Sequence, residues 1–277
     1  MKRDSLCFHG ANDKDFRHIR GTAGVRWVIS NHCNTMTKKN KQDHSAALEK
    51  AWNKFNKKDF EEALGMFEEI LEGSDEPEVL YGKACTLFRL EEYEDARKDI
   101  NKLIKADPKN TAYLHTRALL SGAEEKNKEA VKDLEKVVAM APGSVEAWCD
   151  LGASCLLEKD FKRAGDCFDR CLDLDKSCPD AWLGKGLVAL EKKEWKRAIE
   201  FLNAAIKIDS NSLIAHLARA EAYLSAKQKQ DARKDIQKIL SLEPGIFKGT
   251  MAHNDRVKDD EFDIDENTDY EEYKLDE

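Results

Sequence analysis

Residues 145–178 read VEAWCDLGASCLLEKDFKRAGDCFDRCLDLDKSC, and residues 179–212 read PDAWLGKGLVALEKKEWKRAIEFLNAAIKIDSNS. Set one under the other, Trp148 meets Trp182, Gly152 meets Gly186, Phe161 meets Trp195 and Ala164 meets Ala198. The alanine continues in both directions. It stands at Ala63, Ala96, Ala130, Ala164, Ala198 and Ala232, with spacings of 33, 34, 34, 34 and 34 residues. Four residues after each alanine comes Phe67, Ile100, Leu134, Phe168, Leu202 or Ile236. Twelve residues before it comes a small residue: Ala51, Ala84, Ala118, Gly152, Gly186 or Ala220. A fixed period of this length is the signature of a repeat architecture.

Each unit predicts two helices. The first, of roughly 13 residues, carries an apolar stripe such as Trp148, Leu151, Gly152 and Cys155. A short turn, Glu158-Lys159-Asp160, separates it from a second helix that begins near the aromatic. Pro108, Pro142 and Pro244 stop the second helix in three units. One such hairpin cannot bury its apolar face alone, whereas a stack of them builds a continuous core. The units run 44–76, 77–110, 111–144, 145–178, 179–212 and 213–246. The third replaces the aromatic with Asn127 and the sixth with Lys229.

The composition suits such a stack. Of 277 residues, 36% are charged and 41% apolar, with only 14 glycines and 5 prolines. Mean hydropathy is -0.67. These values fit a helical assembly with much surface and argue against a large all-β domain. The net charge of -8 is unevenly placed. Residues 1–43 hold nine basic and four acidic groups, and residues 254–277 hold twelve acidic and three basic ones. The first segment is expected to be a disordered basic leader and residues 247–277 an acidic, mostly disordered tail. Met36, followed by a lysine-rich lead, is a natural start for the array. No broad basic surface for nucleic acid is evident. No apolar stretch approaches the ~20 residues of a membrane helix. No secretory signal is visible, so the expected location is the cytoplasm, with the nucleus an alternative. The eight cysteines are then expected to be free thiols.

Searches for chemistry nominate no catalytic residue and no cofactor. The seven histidines form no HExxH. His216 occupies the position of Trp148 and Trp182, which predicts a packing role. Cys149, Cys155, Cys167, Cys171 and Cys178 crowd the fourth unit, but without a CxxC pair they are expected to be buried thiols rather than metal ligands. In the tail, Asp263, Asp265, Asn267 and Asp269 imitate the start of a calcium loop. Thr268 and Lys274 stand where that loop needs Gly and Glu, so no ordered calcium site is expected. Acidic pairs such as Glu61-Glu62 and Glu91-Glu92 fall at helix starts, where they favour the dipole.

The unit Trp148-x2-Leu151-Gly152, followed by Phe161-x2-Ala164-x3-Phe168, closely resembles the tetratricopeptide repeat. The resemblance covers residues 44–246. It implies an all-α, right-handed superhelical solenoid of six helical hairpins, in which Ala63, Ala96, Ala130, Trp148, Gly152, Ala164, Trp182, Gly186, Ala198 and Ala232 pack the repeats. It also implies a non-catalytic adaptor or scaffold that takes a peptide or helix of a protein partner on a concave face of first helices. From the repeat phase, the groove candidates are Tyr81, Cys85, Arg89, His115, Leu119, Cys149, Asp150, Leu183, Leu187 and Leu217. Co-chaperones of this family grip acidic carboxyl termini with a Lys/Asn clamp. Here the matching places hold Leu48, Trp52, Gly82, Ala112 and Thr116, or, one unit later, Tyr81, Cys85, Thr116, Glu146 and Asp150. The clamp is absent in both frames. A co-chaperone without it, or an effector acting through the acidic tail, are the alternatives. The partner and the oligomeric state are left open.

Overall fold

A computed structural model of the chain describes residues 42–73 and 76–244. The basic leader, apart from the backbone at its last two residues, the acidic tail and the calcium-like run at 263–269 lie outside the described residues. Within them are twelve helices and no strand. They form six hairpins: α1 (Gln42–Asn56) with α2 (Phe60–Gly73), α3 (Pro77–Arg89) with α4 (Tyr93–Ala106), and α5 (Thr111–Ala123) with α6 (Asn127–Met140). The series continues with α7 (Val145–Leu157) and α8 (Phe161–Leu174), α9 (Pro179–Glu191) and α10 (Trp195–Ile208), and α11 (Leu213–Ser225) and α12 (Lys229–Leu242). Every second helix begins at the register of the aromatic, including Asn127 and Lys229 where the aromatic is missing.

Local chemistry sets each boundary. Asn110, Ser144 and Ser212 are N-caps whose side chains accept backbone N–H bonds from the first turns of α5, α7 and α11. Pro77 and Pro179 open α3 and α9, where a missing N–H costs nothing. The turn inside each hairpin is the same six times. Lys58, Glu91, Glu125, Lys159, Lys193 and Lys227 all have φ between 60° and 67°, in the left-handed region. The residue after each donates its N–H five positions back, as Asp160 does to the Cys155 carbonyl (2.9 Å) and Glu194 to that of Ala189 (2.8 Å). This is the bond of a Schellman cap. It offsets the ~1–2 kcal/mol that a non-glycine residue loses in that conformation.

Successive helices pack on one another along the chain. First helices also touch the first helices of neighbouring hairpins, as α7 with α9 and α9 with α11. The first helices therefore line the inner side of the stack. The core is a line of three adjoining clusters rather than one centre. Ala63, Ala96, Ala130, Ala164, Ala198 and Ala232 are at most 1% exposed, where paired helices cross. The indole N–H groups of Trp148 and Trp182 donate to the carbonyls of Pro142 and Lys176, each at 3.0 Å. His216 holds the same register, with Nε2 3.2 Å from the Ser210 carbonyl and Nδ1 2.7 Å from Asp235 Oδ1.

The tightest contact lies at the centre. Phe168 of α8 is wedged between α7 and α9, facing Gly152 on one and Gly184 on the other. A Cβ at Gly152 would stand 2.7 Å from the Phe168 ring, and one at Gly184 would stand closer still. Gly82 faces Phe67 and Gly186 faces Leu202 in the same way. Polar clamps reinforce the outer side at two places three repeats apart. Arg117 bonds Asp133 (2.6 and 2.9 Å) and Asn101 (3.1 Å), and Arg219 bonds Asp235 (2.8 and 2.6 Å) and Asn203 (2.6 Å).

Alanine favours a helix over glycine by ~1 kcal/mol. Gly184→Ala is nevertheless expected to lower stability by about 1–3 kcal/mol, because its methyl would overlap the buried Phe168 ring and force it out of its seat between α7 and α9. Gly165→Ala, with nothing within 4 Å of its Cβ, is expected to raise stability by about 0.5–1 kcal/mol. Urea titration of the two variants checks both signs.

Candidate functional site

On the inner side, α5, α7 and α9 enclose a cavity of about 300 Å³. Its walls include Ala118 and Leu119 of α5, Cys149, Ala153 and Leu157 of α7, and Leu183 and Leu187 of α9, with Phe168 at its floor. Glu146, Asp150, Asp175 and Asp180 also line it, and no Lys or Arg does. The site is an apolar recess with an acidic rim.

The fold builds it from local signals. Ser144 caps α7 and Pro179 starts α9, and the first residues of both helices line the cavity. Gly184 brings α9 close to Phe168 and also lines the cavity. Across the inner face run two hydrogen bonds of equal span. Tyr81 Oη lies 2.9 Å from Thr116 Oγ1, linking α3 to α5. His115 Nε2 donates to Asp150 Oδ2 at 2.7 Å, linking α5 to α7. The second bond holds the Asp150 carboxylate on the cavity wall.

Of the ten groove candidates, Leu119, Cys149, Asp150, Leu183 and Leu187 are brought together here. Tyr81, Cys85 and His115 lie on the expected first helices but are 1%, 3% and 0% exposed, because neighbouring first helices close over them. Burial pushes the Cys85 thiol up to about 12 and raises Tyr81, so neither is poised to ionise. Arg89 stacks its guanidinium on Phe60 at 5.1 Å, and Leu217 is half-buried on α11, outside the cavity. The repeat-packing residues Trp148, Gly152, Trp182 and Gly186 are in the core or at its edge. Leu157, 39% exposed at the last residue of α7, joins the cavity wall although it is off the expected stripe.

The five cysteines expected as buried thiols divide: Cys155, Cys167 and Cys171 are buried, whereas Cys149 and Cys178 are partly exposed. Cys149, Cys171 and Cys178, spread over 30 positions of sequence, have their sulfurs within 4.8 Å of one another. Contacts with Cys149 and then Cys171 hold the Cys178 thiol below its ordinary range, and contacts with Cys171 and then Cys178, with burial, push Cys149 up. Cys178 takes the N-cap register of Asn110, Ser144 and Ser212, and that substitution was the available signal.

Tetratricopeptide repeat models match residues 77–110, 115–176 and 160–213. The chain belongs to the tetratricopeptide repeat family. Over 80 residues it is 29% identical to ER membrane protein complex subunit 2-A of Xenopus laevis, a match that takes in 29% of this chain and only 27% of that protein. Among solved structures it resembles pilF of Pseudomonas aeruginosa, with 16% identity and a TM-score of 0.63 over 76% of this chain and 96% of that one. It also resembles YrrB, with 20% identity and a TM-score of 0.52 over 72% and 98% of the two chains. At these identities the two structures establish the fold alone. An all-helical solenoid of this family is characteristic of non-catalytic scaffold proteins. Among the described residues no helix is long and apolar enough to cross a membrane.

Burial, and then the charges of Cys178 and Asp150, raise the Asp180 carboxyl to about 6. A raised acid stabilises the fold below its unfolded value near 3.8, and that contribution is lost as pH rises through about 6. Asp180→Asn is therefore expected to match the parent near pH 4 and to exceed it at pH 8 by about 1–2 kcal/mol. Thermal melts at the two pH values, with reductant and chelator present, measure the difference.

Proposed function

We propose that this protein is a protein-binding scaffold whose α5–α7–α9 cavity takes an apolar side-chain cluster from a peptide or amphipathic helix with basic flanks. The carrying observation is the composition of the cavity: Leu157 and Leu187 open onto it over the buried Leu119 and Leu183, and Glu146, Asp150 and Asp180 ring it with acid and no Lys or Arg. Burial of the cluster supplies the driving force, at about 25 cal/mol per Å² of apolar area. The acidic rim selects Lys or Arg at its edges and disfavours anionic ligands. This is the opposite preference to a carboxylate clamp, whose residues the chain lacks. Helix-in-groove and extended-peptide recognition both suit a preformed recess of this kind. Two relatives agree in kind: YrrB is described as a tetratricopeptide protein with an unusual peptide-binding site, and the Xenopus relative is by name a subunit of a complex.

A peptide library displayed against the full chain is expected to enrich sequences with apolar residues at helical spacing next to Lys or Arg. Leu183→Asp and Leu187→Asp are each expected to weaken the selected peptides at least tenfold, or about 1.4 kcal/mol. Asp150→Asn, at the rim, is expected to weaken them less and to flatten their salt dependence. Binding that is unchanged in both leucine variants would remove the cavity from the function. Binding lost on deleting 255–277 and intact in the leucine variants would transfer it to the acidic tail.

A further inference from the structure

Three cysteines of the fourth repeat converge beside the cavity. Cys149 comes from α7, Cys171 from the last turn of α8, and Cys178 caps α9. Their sulfurs all lie within 4.8 Å of one another. Cys171 is fully buried at the back, whereas Cys149 and Cys178 are partly exposed and line the cavity. The cluster therefore has a dry base and an open front. Cys178 puts a sulfur at the N-cap register, where the backbone N–H groups of Ala181 and Asp180 approach it. At the same register Asn110, Ser144 and Ser212 each use an oxygen to cap the following helix. Cys155 and Cys167, the other two cysteines of this repeat, are both buried and outside the cluster. The carboxylates of Asp150 and Asp180 line the same cavity.

We propose that Cys149, Cys171 and Cys178 form a metal site for Zn²⁺, with the fourth coordination position facing the cavity. Three sulfur ligands select a thiophilic cation such as zinc over magnesium or calcium. Zinc–sulfur bonds of about 2.3 Å place tetrahedral sulfurs about 3.8 Å apart. The observed spacing is within about 1 Å of that, a change that χ1 adjustment of the two half-exposed cysteines supplies. On binding, the thiols that still carry protons release them to solvent, and the ligands enter as thiolates. The acidic cavity wall attracts the cation to the entrance, and water or one of the wall carboxylates completes the shell. The ion would tie α7, α8 and α9 together at the junction of the fourth and fifth repeats.

The test uses the full chain, purified with reductant, loaded with Zn²⁺ and exchanged into metal-free buffer. Metal analysis and competition against a chromophoric zinc chelator give stoichiometry and affinity. The proposal expects one tightly held Zn²⁺ per chain, a higher melting temperature when it is bound, and weaker binding as pH falls. Cys149→Ser and Cys178→Ser are each expected to lower affinity by about 100-fold or more. Both sites are half-exposed, so unchanged circular dichroism can confirm that the variants fold. Cys155→Ser and the Cys7→Ser/Cys33→Ser double variant are expected to keep the metal. Co²⁺ in place of Zn²⁺ should give a sulfur-to-metal charge-transfer band that both ligand variants lose. Absence of stoichiometric zinc in the parent overturns the proposal, as does full retention in Cys149→Ser and Cys178→Ser. The readout is metal content, so it is independent of whether the cavity binds peptides.

Discussion

The structure depends on how large side chains of the second helices pack against glycines of the first helices. Phe168 shows the constraint most sharply, with its ring seated against Gly152 behind it and Gly184 ahead of it. The two glycines leave no Cβ in the way, so α7 and α9 close on the ring and on each other. Phe67 meets Gly82 of the next hairpin, and Leu202 meets Gly186 of its own. Because contacts such as Phe168–Gly184 and Phe67–Gly82 join neighbouring hairpins, stability propagates along the stack.

That packing also creates the cavity. Drawing first helices together puts their free faces on one side, and Phe168 forms the floor beneath them. The walls are apolar because they continue the core outward. The rim is acidic because Glu146 and Asp180 stand in the first turns of α7 and α9, where negative charge is favoured, while His115 holds Asp150 across from α5. A ligand meeting this surface finds apolar area and unneutralised acid together, which is why the proposed partner is apolar with basic flanks. The thiol cluster sits at the same junction, so an ion there would brace the helices that carry the peptide site.

Much of this was legible before any coordinates. The 34-residue spacing of Ala130, Ala164, Ala198 and Ala232 places the crossing points, and all four are buried. The register of Trp148 and Trp182 predicts packing for His216, and its Nε2 does approach the Ser210 carbonyl as those indoles approach theirs. The left-handed turn was not legible, since Lys, Glu, Lys and Lys at 58, 91, 159 and 193 carry no residue-type signal for it. Half of the groove candidates reached the cavity. Tyr81, Cys85 and His115 did not, because repeat phase gives a helix face and says nothing of how closely the next hairpin covers it.

The sequence by itself determined the all-helical repeat, its period, the hairpin boundaries and the absence of a carboxylate clamp. Those properties are local or strictly periodic, and periodicity survives in one dimension. Only the tertiary structure decided which inner residues open onto a cavity and that Cys149, Cys171 and Cys178 meet. Both depend on the angle and distance between successive hairpins. Those are fixed by interlocking volumes, such as Phe168 between two glycines, and volume complementarity between distant residues leaves no trace in spacing.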